Sequence, residues 1–157
     1  MSLVLVRLDD RYVHGQVVVG WGRALRADRI LLVDDAVRAS EWEQDLYRLG
    51  VPPEVTLEFA SVAEAGARLR ALAAADERVI VIVGDIETLE RVLASHPPIT
   101  ELNIGGLHTG PGRRQRLPYV FLTDTEARAL ERLSDAGVVV SAQDVPTGPR
   151  VPLREFA

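Results

Sequence analysis

Hydrophobic positions along the chain fall into short runs separated by longer stretches with helical spacing. The runs are Leu3 to Leu8, Arg29 to Val33, Val55 to Ala60, Val79 to Val83, Glu101 to Ile104, Tyr119 to Leu122 and Val138 to Ala142. β-Branched runs of this length alternating with amphipathic stretches predict βαβ units. The expected fold is therefore α/β, an open, mostly parallel sheet of about six to seven strands with helices on both faces. Val79-Ile80-Val81-Ile82-Val83 is apolar at every position, the pattern of a strand covered on both sides, which places it in the middle of the sheet.

The polar positions between the runs mark helix ends. Ser40 with Glu43, Ser61 with Glu64 and Thr123 with Glu126 each pair a hydroxyl with a carboxylate three residues later, as in a capping box. Gly50 followed by Pro52-Pro53, and Gly137, stand where glycine ends a helix. The alanine-rich stretch from Val62 to Ala75 places Ala65, Leu69 and Leu72 on one helical face, so it reads as a helix and not a linker. Only Gly105 to Pro118 lacks a regular pattern, and its glycines and prolines predict a surface loop. Structureless loops of such length in compact domains are usually functional.

No repeat, charge block or domain boundary interrupts this order, so residues 1–157 form one domain, long enough to bury about two thirds of its unfolded surface. The hydrophobic fraction of 47% and charged fraction of 26% are those of a soluble globular protein. A net charge of -5 supplies no overall field to draw nucleic acid or acidic lipid. The absence of cysteine excludes disulfides, thiolate metal sites and cysteine nucleophiles. No run approaches the roughly 18 apolar residues of a membrane span, and the acidic pair Asp9-Asp10 interrupts the region where a signal peptide needs an apolar core. The sequence reads as a cytoplasmic protein.

The candidate chemistry sits after the first run, in Asp9-Asp10-Arg11-Tyr12-Val13-His14-Gly15-Gln16-Val17. His14 falls where a strand gives way to a helix. In open α/β folds ligands gather beyond the carboxyl ends of strands, and a helix N-terminus offers unpaired N–H groups to an anion. An imidazole there can attack phosphorus and carry the phosphoryl group. Gly15 leaves room for a phosphoryl group to approach the first turn, Arg11 offers a permanent cation, and Asp9 or Asp10 can orient the ring through one nitrogen while the other attacks. The same residues equally suit a tight turn in which Asp9 and Arg11 merely pair, and spacing alone leaves both readings open.

The segment Arg7-Leu8-Asp9-Asp10-Arg11-Tyr12-Val13-His14-Gly15-Gln16-Val17 resembles the signature of the IIB component of the mannose, fructose and sorbose family of the bacterial phosphoenolpyruvate-dependent sugar phosphotransferase system (PTS). The likeness continues through Asp34-Asp35, Pro52-Pro53, Asn103-Ile104-Gly105-Gly106 and Val145-Pro146-Thr147. It implies that His14 is transiently phosphorylated, accepting phosphate from a phosphohistidine on a IIA protein and passing it to a sugar at a membrane IIC/IID permease. It implies that Asp9, Asp10, Arg11, Gly15 and Gln16 surround that histidine, that phosphate is borne on the ring nitrogen nearer the backbone, and that neither metal nor cofactor is needed. Localisation would be cytoplasmic, with transient association with the inner membrane face through the permease. Tyr12 departs from the aliphatic residue usual in that family.

Four further features carry weaker signals. Arg113, Arg114 and Arg116 can bind phosphate or a partner, or form a solvated basic loop; His108 can contact phosphate, serve as a second acid/base group or have no chemical role. His96, before Pro97-Pro98, reads as a helix-end residue. Trp21 and Trp42 read as packing or interface residues. A regulatory module, in which His14 phosphorylation signals the state of the phosphotransferase cascade without transport, fits the same residues. A nucleotide-binding α/β protein fits worse, because the first strand-to-helix turn lacks Gly-x-Gly-x-x-Gly.

Overall fold

The computed structural model describes residues 2–157. Strands β1 (Leu3–Leu8), β2 (Arg29–Val33), β3 (Thr56–Ala60), β4 (Val79–Val83), β5 (Glu101–Ile104) and β8 (Val139–Ala142) run parallel. With β9 (Val151–Pro152), antiparallel at one edge, they form a seven-stranded sheet of order β3-β2-β4-β1-β5-β8-β9. β4 is buried at every position, as its unbroken apolar run predicts.

The connections are helical. A π-helix, Gln16–Trp21, runs into the short α1 (Gly22–Ala24); α2 (Asp35–Arg38), α3 (Glu41–Leu49), α4 (Val62–Ala74), α5 (Ile86–Leu93) and α6 (Asp124–Asp135) follow. Ser61 and Thr123 form complete capping boxes with Glu64 and Glu126. Ser40 accepts the Glu43 N–H, one half of the expected reciprocal pair. Gly137, at φ 101°, follows α6 in the left-handed conformation that favours glycine.

α4, α5 and α6 pack on one face of the sheet around Leu69, Leu89, Leu130 and Ile104. The π-helix and α3 pack on the other, against Ile30, Leu32, Ile80 and Ile82. The second face is left partly open over β1, β5 and β8, where a cleft of about 490 Å³ is lined by Leu5, Trp21, Asn103 and Ser141 among others.

Two expectations are corrected. Tyr119 to Leu122 does not join the main sheet: β7 (Val120–Leu122) pairs antiparallel with β6 (Arg114–Leu117) in a separate hairpin. Gly105 to Pro118 is therefore not wholly irregular. Arg114, Gln115 and Arg116 make β6 too polar for the sheet interior, while Val120 and Leu122 bury on the core and Leu107 bridges to Val120 beside the end of β5. The seventh strand is instead β9, whose two residues give no readable periodicity and whose Pro152 is tolerated at an edge.

This order places β1 between β4 and β5, with the chain leaving it towards β2 on the far side of β4. Such a switch in strand order opens a crevice at the carboxyl ends of the strands. The Asp9–His14 segment emerges there.

Candidate functional site

Asp9, the first residue past β1, is fully buried. Its N–H donates to the Val83 carbonyl at 2.9 Å and the Asp10 N–H to Gly106 at 2.9 Å, so the strand end is fastened to both neighbouring strands. The chain then turns: the Tyr12 N–H returns to the Asp9 carbonyl at 3.1 Å, and Tyr12 itself is left-handed at φ 57°. His14 begins the helix, its carbonyl accepting the Val18 N–H at 3.0 Å. The first-turn N–H groups of Gly15, Gln16 and Val17 have no partner within the helix. The wider π-type turns that follow are often found at functional sites.

The imidazole is half-buried, 17% exposed, and its Nε2 lies 3.0 Å from Asp9 Oδ2. A carboxylate only accepts hydrogen bonds, so it fixes the tautomer with the proton on Nε2 and leaves the Nδ1 lone pair available. The backbone at Gly15, the next residue, is open, since a Cβ built there would have no neighbour within 4 Å.

Asp9 is in turn held from beneath. Arg7, also fully buried, places Nε and Nη2 each 3.2 Å from Asp9 Oδ2. Its remaining donors reach Asn103 Oδ1, the Gln143 carbonyl at 2.8 Å and the Asp144 carbonyl at 3.0 Å, and its guanidinium stacks 5.3 Å from the Trp21 ring centroid. A buried guanidinium with every donor engaged is a rigid support for a carboxylate. Burial pushes the Asp9 carboxyl pKa up, but the His14 hydrogen bond and the Arg7 charge outweigh it and hold it below the ordinary aspartate value. Asp9 is the charged partner throughout the neutral range.

Each remaining candidate has a definite place. The Arg11 N–H donates to Asp9 Oδ1 at 3.1 Å, and its exposed guanidinium donates to Gln16 Oε1 at 3.0 Å. Arg11 thus keeps a free face of its cation at the rim. Asp10 does not orient His14; it accepts the His108 N–H at 2.7 Å and bonds the His108 ring at Nδ1, so a second imidazole stands on the same rim. Arg113 donates to Glu126 at 3.0 and 2.9 Å and to the His108 carbonyl at 2.8 Å, bracing that loop. Arg114 and Arg116, on β6, pair with Asp124 at the start of α6 and with no residue of the His14 loop. Trp21 is buried packing, Trp42 is exposed on α3, and His96 stands left-handed after α5.

The residues missed from sequence are Arg7, Asn103 and the Gly106 N–H, which lies 3.4 Å from Asp9 Oδ2. A signal for Arg7 was available, since it is the one charged position inside the apolar run Leu3 to Leu8. The large cleft over β1, β5 and β8 includes none of Asp9, Asp10, Arg11 or His14. The His14 site lies outside it, with the Arg11 and His108 side chains exposed and the imidazole partly so.

An open parallel sheet with a carboxylate-bonded histidine at the switch in strand order defines the class: an α/β domain with an imidazole just beyond the carboxyl end of its first strand. The comparisons with known proteins name the family. Residues 3–157 match the model of the PTS system sorbose subfamily IIB component. The sorbose-specific EIIB component of Klebsiella pneumoniae is 30% identical over 151 residues, covering 96% of this chain and 92% of that protein. The crystal structure of the IIBSor domain of the sorbose permease from Klebsiella pneumoniae superposes with a TM-score of 0.89 at 29% identity, covering 99% of this chain and 96% of that one. The mannose-specific EIIAB component of Escherichia coli is 28% identical over 156 residues, covering 99% of this chain but only 48% of that protein. The chain belongs to this family and is a IIB component of the sugar phosphotransferase system, a transferase component.

Proposed function

We propose that this protein relays a phosphoryl group through Nδ1 of His14, accepting it from a phosphohistidine of a IIA component and delivering it to a sugar at a IIC/IID permease. The observation that carries the reading is the single 3.0 Å contact between His14 Nε2 and the buried Asp9, which leaves Nδ1 as the nucleophile. In the first step the Nδ1 lone pair attacks phosphorus while the bond from phosphorus to the donor nitrogen breaks, returning its electron pair to the IIA histidine. The ring gains positive charge as the bond forms, and Asp9, reached through Nε2–H, stabilises it. In the second step a sugar hydroxyl oxygen attacks phosphorus, the bond to Nδ1 breaks, and the hydroxyl proton passes to a base at the acceptor site.

Arg11 and the first-turn N–H groups at Gly15 and Gln16 are suited to the phosphoryl oxygens, because positioning and charge neutralisation dominate phosphoryl transfer. His108, held by Asp10, brings a further polar ring to the rim. A relative named as an EIIAB component supports a IIA donor. No helix among the described residues is long and apolar enough to cross a membrane.

The test is phosphorylation with phosphoenolpyruvate, the general phosphotransferase proteins and the cognate IIA. The parent should gain one acid-labile phosphate and His14→Gln none; labelling that persists in the variant rejects His14 as the carrier.

A further inference from the structure

Tyr12 lies between the residue that orients the imidazole and the imidazole itself, and its backbone is left-handed at φ 57°. Side chains with a Cβ rarely adopt that conformation, because the Cβ crowds the adjacent carbonyl. Something outside the turn must hold it there.

Three contacts do so. The phenol donates to Asp34 Oδ2 at 2.7 Å. Asp34 is itself fixed, buried at the end of β2 with its other oxygen accepting the Val37 N–H at 2.9 Å at the start of α2. The ring lies in a slot over Gly84, just past β4, where any side chain would intrude: a Cβ built on Gly84 would stand 2.4 Å from Tyr12 Cε1. Its far side meets Tyr47 of α3 edge-on, with centroids 6.0 Å apart. Burial, and then the bond to Asp34, push the phenol pKa above its ordinary value, so the hydroxyl keeps its proton to donate.

The loop is therefore pinned at two places by two buried carboxylates. Asp9 holds the Arg11 N–H and the His14 ring; Asp34 holds the side chain of Tyr12. Only Val13 separates Tyr12 from His14, so a change of backbone direction at residue 12 is delivered directly to the imidazole.

We propose that Tyr12 is a positioning residue for His14, its phenol bonded to Asp34 keeping residue 12 left-handed and thereby setting Nε2 on Asp9 with Nδ1 facing outward. Release of the phenol lets residue 12 relax to negative φ, which swings the following residues and lengthens the 3.0 Å bond on which the tautomer depends. The inference rests on the carrier role proposed above for its rate consequence, and on geometry alone for its structural consequence.

Tyr12→Phe, which keeps the ring and removes only the donor, is the deciding variant; Gly84→Ala, which drives the ring from its slot with the hydroxyl intact, is its counterpart. Two measurements are made on full-length protein. In unphosphorylated protein, the nitrogen-15 spectrum of His14 should change from one tautomer with a protected Nε2–H to an exchanging mixture. In single-turnover transfer from phosphorylated IIA, the maximal rate should fall about ten- to a hundredfold while the donor concentration for half-maximal rate stays constant, the signature of a misplaced reacting group. An unchanged His14 spectrum in Tyr12→Phe overturns the proposal, as does a change confined to donor affinity, which would make Tyr12 a docking contact. The spectrum is read without phosphate. A lost Nε2–H signal therefore upholds Tyr12 as a positioning residue even where His14→Gln labelling rejects the carrier role.

Discussion

Replacing Asp9 by Asn tests the orientation of the nucleophile. Oδ2 of Asp9 meets Arg7 Nε and Nη2 at 3.2 Å, His14 Nε2 at 3.0 Å and the Gly106 N–H at 3.4 Å, while Oδ1 accepts the Arg11 N–H at 3.1 Å. An asparagine has one acceptor oxygen for these two positions. If its oxygen faces Arg7, the amide nitrogen meets the Arg11 N–H; in the other orientation it meets the guanidinium and presents N–H to the imidazole. The second arrangement makes Nε2 an acceptor and puts the proton on Nδ1, which removes the nucleophile. By analogy with tautomer inversion in a Ser-His-Asp triad, transfer should slow by about 10²–10⁴-fold. Loss of the carboxylate also leaves Arg7 buried with its charge unmatched, which costs about 3–5 kcal/mol. Three carbonyl-type acceptors remain to the guanidinium, at Asn103, Gln143 and Asp144, so the lower end of that range applies. The melting midpoint should drop by about 6–12 °C, given about 2–4 °C per kcal/mol for a chain of this size. Rapid-quench transfer from phosphorylated IIA, paired with thermal denaturation, reads both effects. Transfer within about threefold of the parent in a folded Asp9→Asn protein refutes the orienting role, since the expected loss is at least thirty times larger.

Three further outcomes are expected. Arg11→Ala, an exposed change, should slow transfer by about 10–100-fold with the melting midpoint within about 2 °C of the parent; unchanged transfer would make Arg11 structural. Gly105→Ala should destabilise by about 1–3 kcal/mol in urea titration, because a Cβ there would stand 2.4 Å from Arg7 Cζ; a neutral result would mean that the Arg7 support yields easily. Since the folded-state pKa of Asp9 lies below its unfolded value, its stabilisation is fully present above about pH 3.9 and is lost as pH falls through the lower folded value. Stability measured across acid pH should therefore fall less steeply in Asp9→Asn than in the parent, and parallel curves would contradict the charged Asp9–Arg7 arrangement.

The sheet was largely legible because its signal is local. The apolar run of β4 and the paired hydroxyl and carboxylate at Ser61 and Thr123 are written in adjacent residues. Tyr119 to Leu122 misled because alternation reports a strand and not its partner; the partner here is β6, a polar strand with no apolar pattern of its own. At the site, the candidates His14, Arg11, Asp9 and Asp10 were readable because they share one contiguous segment. The choice between Asp9 and Asp10 was not, since it depends on which carboxylate faces the sheet and which faces His108, 98 positions away. Arg7 stood out as a charge inside an apolar run, but its partners, like that of Asp34, were unreadable for the same reason. Each acts through long-range contacts, Arg7 on Asn103, Gln143 and Asp144, and Asp34 on Tyr12, that only the folded chain creates.

The most direct measurement is a nitrogen-15 and phosphorus-31 spectrum of the protein after phosphorylation by phosphoenolpyruvate through IIA. A phosphorus-coupled Nδ1 on His14, with Nε2–H still bonded to Asp9, is the expected result. Phosphate on Nε2, or on any residue other than His14, would contradict the arrangement in which Asp9 holds one ring nitrogen so that the other can carry the group.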